Sequence, residues 1–235
     1  MGDATIHKGH RSRLKQRFLE EGLDSFTDIQ ALELLLFYGV PRQDTNPIAH
    51  RLLDRFGSLS QVLEASPEEL RRVEGVGENA AALLTLVTQF ARFYQVDCAQ
   101  RVKCLTTLEA CGEYLTPYFF GRNKETVFLL CLDAKCKVLG CKEVGEGSVN
   151  SASVPIRRIV EMALGMNATT VVLAHNHPSG LAIPSGEDVQ TTRRLAVALD
   201  TVDITLADHI VVADDDYVSM TQSGLYRPGS CTLVV

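Results

Sequence analysis

The feature that most limits how this chain can fold is a change in the period of its apolar residues near position 103. Up to Tyr94 they recur at helical spacing, as in Ala31, Leu32, Leu34, Leu35 and Leu36, punctuated by turn chemistry at Gly39, Pro41 and Asn46-Pro47. Through Gln95, Asp97, Gln100 and Lys103 that period is lost, and short β-rich runs separated by helices take over. The chain therefore reads as α+β, with an all-helical domain over residues 1–103 and a mixed α/β domain over residues 104–235.

In the second domain, Val127 to Leu132 and Val138 to Val144 read as a strand hairpin turning at Asp133-Ala134-Lys135. A helix from about Pro155 to Leu164 leads to a third strand, Thr170 to Ala174, apolar enough to be buried on both faces. A loop with Pro178, Gly180 and Pro184 follows, then a helix from Gly186 to about Leu199 and strands near Ile204 and Ile210.

In the first domain, Ser66-Pro67-Glu68-Glu69 is a well-formed helix start, because Ser66 can cap, Pro67 suits the first helical position and Glu69 can return a bond to the cap. The next helix should open near Gly77. Between them, Val73-Glu74-Gly75-Val76-Gly77 has the form of a helix-hairpin-helix turn, whose glycines let backbone amides approach a phosphate. The same glycines also suit a tight turn that serves packing alone.

A net charge of −6 excludes a protein that coats nucleic acid through overall charge. A local patch remains open. Lys8, Arg11, Arg13, Lys15 and Arg17 lie in one stretch without an acid, fit either for phosphates or for a solvated helix face. No window holds the roughly 18 apolar residues of a membrane span, and the polar N-terminus lacks a signal-peptide core, so a cytoplasmic protein without membrane contact is expected. Seven cysteines (98, 104, 111, 131, 136, 141 and 231), odd in number and without a C-x-x-C pair, read as reduced thiols. The five-residue repeat of Cys131, Cys136 and Cys141 is a poor metal site, since within one strand it turns successive side chains to opposite faces.

The chemistry gathers where the third strand ends. His175 and His177 stand at i and i+2, so both imidazoles point to one face, and Pro178 biases His177 to the extended form this needs. Asp188, in the first turn of the following helix, can return a carboxylate to the same ion. Two histidines and one aspartate leave a position open for water, which is how a catalytic zinc site differs from a closed structural one. Ser185-x-x-Asp188 is also nearly a capping box, a use that needs no metal.

His175-x-His177, seven residues, Ser185, two residues and Asp188 resembles, at every specified position, the signature of JAMM (MPN+, JAB-domain) metalloproteases. The resemblance extends over nearly the whole chain to the bacterial RadC family. It is carried by Gly9-His-Arg-Ser-Arg-Leu-Lys, Leu32-Glu-Leu-Leu-Leu-Phe-Tyr, Asp44-Thr-Asn-Pro-Ile-Ala-His, Phe56-Gly-Ser-Leu, the Gly75-Val-Gly turn, Leu173-Ala-His-Asn-His-Pro-Ser-Gly and Asp208-His209-Ile210-Val211. Ser148 stands where RadC-like chains usually carry a threonine.

What the resemblance implies is a helical domain with a helix-hairpin-helix, joined to a JAB/MPN, cytidine-deaminase-like α-β-α domain. It implies zinc on His175, His177 and Asp188, with Ser185 as donor to the oxyanion, and cleavage of a peptide or isopeptide bond in a protein substrate. It also implies an upstream glutamate as general base. Glu143 is the better match and Glu146 the rival; three apart on a strand, they face opposite ways unless the strand bends. His209 reads as a strand anchor or as a supporting contact to the site. The alternative function is a DNA-associated protein, binding through the N-terminal domain, whose metal domain is a nuclease or only structural.

Overall fold

The computed structural model describes residues 9–146, 155–229 and 233, so Lys8, Ser148 and Cys231 lie outside the described residues. The chain divides into two compact units, residues 1–91 and 92–235.

The first unit is helical as expected: α1 (His10–Glu21), α2 (Asp28–Gly39), α3 (Asn46–Phe56), α4 (Leu59–Glu64), α5 (Pro67–Leu70) and the first part of α6 (Glu78–Ala99). Leu32 and Leu36 of α2, Ile48 and Leu52 of α3, Val62, Leu70 and Leu84 form its core. Ser66 and Glu69 make the anticipated capping box, but α5 lasts only one turn. The backbone then tightens through Val73 N–H to Leu70 O and Val76 N–H to Val73 O, with Gly75 at φ +92°, before α6 opens. The division between Ala91 and Arg92 falls inside α6, ahead of the change in apolar period near residue 103. The reason is that Val96 and Ala99, still in helical register, pack into the core of the second unit.

The second unit holds the end of α6, then α7 (Leu108–Leu115), a 3-10 turn (Thr116–Phe119), β1 (Thr126–Leu132), β2 (Val138–Glu146), α8 (Ile156–Gly165), β3 (Thr170–Asn176), α9 (Gly186–Asp200), β4 (Thr205–Ala213) and β5 (Asp216–Ser219). The strands form one sheet in the order β2-β1-β3-β4-β5, with β3 and β4 parallel and the other pairs antiparallel. Leu129, Val171 and Leu173 project to one face, where they meet Ile159 and Ala163 of α8 and Leu195 and Leu199 of α9. Phe128, Leu130, Val172 and Ile210 project to the other, against Leu108, Cys111 and Leu115 of α7 and the 3-10 turn. This is an α-β-α arrangement, and coverage on both faces is why β1 and β3 are apolar without alternation.

Two details depart from the sequence reading. The strands expected near Ile204 and Ile210 are one unbroken strand, β4, and Ile204 lies just before it. The polar pair Asp208-His209 interrupts the apolar run without interrupting the strand, because both side chains are hydrogen-bonded in the interior. The other departure is a bulge in β2. Val127 pairs with Gly145 but Phe128 pairs with Glu143, so Val144 is an extra residue. Cys131 joins one core and Cys141 packs against the other, on opposite faces of the sheet.

Candidate metal centre

β3 carries His175 to the edge of the buried core, and His177 follows one residue past the strand's end. The parallel ladder continues there, with the His177 N–H donating to Val212 O at 2.8 Å, so the i, i+2 relation of the two imidazoles persists beyond the strand. Asp188 enters from the first turn of α9, almost wholly buried. His175 Nε2 lies 3.0 Å from His177 Nε2 and 3.4 Å from Asp188 Oδ1, and His177 Nε2 lies 3.7 Å from Asp188 Oδ2. Two donors bound to a tetrahedral zinc at about 2.0–2.1 Å stand about 3.3 Å from one another. The three measured separations bracket that value, so the donor set fits one such ion.

The supports of these ligands are specific. His177 Nδ1 donates to Leu181 O at 3.1 Å, because a carbonyl can only accept; this turns Nε2 towards His175 and Asp188. Burial pushes His175 down to about 4, against the opposing pull of the Asp188 carboxylate, so the ring is neutral and fit to ligate. Asp188 Oδ2 accepts from Ser185 N–H and Ser185 Oγ, both at 2.7 Å, while Asp188 N–H donates to Ser185 Oγ at 3.2 Å. Ser185 thus completes a capping box, and its one hydroxyl proton lies on the carboxylate that faces the histidines.

The structure does not bring Glu143 to this group. Glu143 pairs with Phe128, whose ring belongs to the core on the opposite face from His175, and its carboxylate accepts from Arg122 at 3.0 Å. Because of the bulge at Val144, Glu146 sits on the same side as Glu143 and lies 3.9 Å from that same guanidinium. The expectation that the two face opposite ways held for a regular strand only, and the bulge makes this one irregular.

A different acid was missed. Val127 of β1 pairs with His175, so continuing the antiparallel register by two residues sets Glu125 opposite His177, on the face of the two imidazoles. The loop before β1 is held by Asn176, whose side chain accepts from Thr126 N–H at 2.7 Å and donates to Lys124 O at 3.1 Å. β1 has no alternation that would mark the face of Glu125, so only the β1–β3 register, continued past Val127, places it on the side of the histidines. His209 is wholly buried and 2.8 Å from His175, whereas Asp208 turns away to accept from Ser219 and Thr221.

Comparison with known proteins agrees with this architecture. Residues 105–225 match the model of the RadC-like JAB domain, and residues 7–82 match that of the UPF0758 N-terminal region. The chain is 32% identical over 227 residues to the UPF0758 protein FN0909 of Fusobacterium nucleatum, covering 93% of this chain and 97% of that protein. It is 36% identical over 210 residues to a UPF0758 protein of Burkholderia thailandensis, covering 89% and 80%. The fold and site are those of a JAB domain carrying a His-His-Asp group able to hold a metal ion. The chain belongs to the UPF0758 family, with a RadC-like JAB domain as its C-terminal part. Among the described residues no helix is long and apolar enough to cross a membrane.

Proposed function

We propose that the C-terminal domain is a zinc-dependent hydrolase that cleaves a peptide or isopeptide bond. One observation carries this reading: three metal-ligating side chains from a strand end and a helix start converge within 4.8 Å of one another. His175, His177 and Asp188 would hold the ion, which when bound supplies the Lewis acidity that polarises a carbonyl and makes water nucleophilic near neutral pH. Glu125, opposite His177 in the extended register, is the general base; its carboxylate takes the proton from the attacking water and passes it to the leaving amine. Ser185 reaches the oxyanion only by turning its hydroxyl away from Asp188.

The substrate side is apolar. Leu181 and Ile183 are 62% and 66% exposed on the loop whose carbonyl at Leu181 holds His177. A large apolar side chain beside the scissile bond is the complementary feature of a substrate.

The test is elemental analysis of the purified chain together with hydrolysis of peptide and isopeptide substrates. The expected result is about one zinc per chain, lost in His177→Ala and Asp188→Ala, with cleavage lost in Glu125→Gln while zinc is retained. A chain that takes up no zinc after reconstitution overturns the reading.

A second reading concerns the helical unit, which would bind DNA phosphates at the turn before α6. What supports it is a cavity of about 380 Å³ lined by Gly39, Pro41, Gly75, Gly77 and Asn79, with Glu78 as its one charged side chain, which a phosphate would have to displace. Salt-dependent binding of duplex DNA by the full chain, weakened by Gly75→Val, is the expected result, and binding unaffected by that change refutes it.

A further inference from the structure

A chain of hydrogen bonds leaves the metal group through His175 and returns to it at Asp188. Nδ1 of His175 lies 2.8 Å from Nε2 of His209, Nδ1 of His209 lies 2.6 Å from Oγ1 of Thr192, and that oxygen lies 2.6 Å from the backbone carbonyl of Asp188. His175, His209 and Thr192 are all wholly buried, so bulk water does not compete for these bonds. The geometry follows from the fold. Thr192 is one helical turn after Asp188 on α9, which lets its hydroxyl reach back to the i−4 carbonyl. His209 pairs with Leu173 on the neighbouring parallel strand, on the same sheet face as His175.

The last member fixes the polarity of the whole chain. A carbonyl oxygen has no proton, so the Thr192 hydroxyl donates to Asp188 O. That hydroxyl has only one proton and therefore accepts from His209, whose Nδ1 must carry hydrogen. No carboxylate lies within ion-pair distance of His209 among the described residues, and an uncompensated buried charge is costly, so the ring is neutral and its Nε2 accepts. The donor to it is His175 Nδ1. His175 is thereby left with a bare Nε2, which faces Nε2 of His177 at 3.0 Å.

We infer that His209 and Thr192 are positioning residues that commit His175 to ligation through Nε2 and tie the helix bearing Asp188 to the strand bearing His175. Neither touches the ion or the substrate. The inference rests on the metal-centre reading given above, and it adds what no local motif contains: a closed loop running from one ligand's side chain to another ligand's backbone through β3, β4 and α9. An outer partner of this kind acts on ring orientation and tautomer, so its loss weakens metal binding by on the order of 10- to 100-fold without removing a ligand.

The decisive variants keep shape and change one hydrogen bond. Thr192→Val deletes the hydroxyl, whereas Thr192→Ser keeps it. His209→Gln can accept at Oε1 and donate at Nε2, whereas His209→Leu can do neither. Zinc affinity of the full chain is measured by chelator competition, with thermal unfolding of the zinc-free protein as control for folding. The tautomer of His175 is read from imidazole ¹⁵N shifts of the zinc-free wild type. The expected result is zinc binding about 10- to 100-fold weaker in Thr192→Val and His209→Leu, restored to within a few-fold in Thr192→Ser and His209→Gln, with His175 protonated at Nδ1 in the wild type. A folded Thr192→Val that binds zinc as tightly as the wild type overturns the inference, since a merely structural bond would lower unfolding temperature and leave affinity alone. So does a wild-type His175 protonated at Nε2. If the wild type binds no zinc, the metal reading fails by itself, and the tautomer measurement still decides the relay.

Discussion

Ser185→Ala separates two roles for one hydroxyl. In the structure Ser185 Oγ accepts from Asp188 N–H at 3.2 Å and donates to Asp188 Oδ2 at 2.7 Å, so the substitution removes both halves of the side chain's part in the capping box. Loss of an N-cap serine costs about 0.5–2 kcal/mol, typically about 1. The lost donor to the carboxylate adds little to this. Ser185 itself is exposed, so water can take its place, and its backbone N–H stays on the same Oδ2 at 2.7 Å. The net is about 1 kcal/mol, which for a unit of this size lowers the unfolding temperature by about 2–4 °C. Calorimetry of the zinc-free protein measures that shift, and chelator competition should show zinc affinity reduced by less than about tenfold, since all three ligands remain. An unfolding temperature equal to that of wild type, with cleavage abolished, would refute the reasoning: the hydroxyl would then be free to serve the reaction and would not be committed to Asp188.

Further outcomes follow from other parts of the molecule. Glu143→Gln, which breaks a partly exposed pair with Arg122, should cost no more than about 1 kcal/mol and leave zinc content and hydrolysis unchanged; loss of cleavage would restore Glu143 as the base. Leu181→Ser with Ile183→Ser should leave zinc content unchanged and raise KM for substrates with a large apolar side chain at the scissile bond, and an unaltered KM would show that the exposed lip does not meet substrate. Gly39→Ala would place a Cβ 2.9 Å from the Cα of Ala80, where backbone must move, so denaturant unfolding should show a loss of about 1–3 kcal/mol; a neutral result would mean α2 and α6 pack less closely than described.

The elements that were legible from sequence are those set by a local period. His175 and His177 share a face because a strand repeats every two residues, and Ser185 meets Asp188 because a helix start brings the cap to its third residue. The hairpin at Asp133 was legible for the same reason: its carboxylate accepts from the N–H groups of Lys135 and Lys137, a local turn interaction. Continuous apolar runs likewise announced strands covered on both faces.

What remained hidden depends on residues far apart in the chain. Neither glutamate of β2 could be placed without the bulge at Val144, because one inserted residue reverses the facing of every side chain after it and the partner strand determines where it falls. Glu125 comes opposite His177 only through the pairing of β1 with β3, and Asp208-His209 interrupted the apolar pattern of β4 because the groups that satisfy its polar side chains come from α9, β3 and β5. By itself the sequence determined the fold class, the caps and the nearness of His175, His177 and Asp188, a group able to hold a metal ion, all governed by backbone periods a few residues long. Only the tertiary structure decided which acid faces the ligands and what holds His175 in register, since strand register and buried hydrogen bonds are properties of neighbours that the chain brings together only on folding.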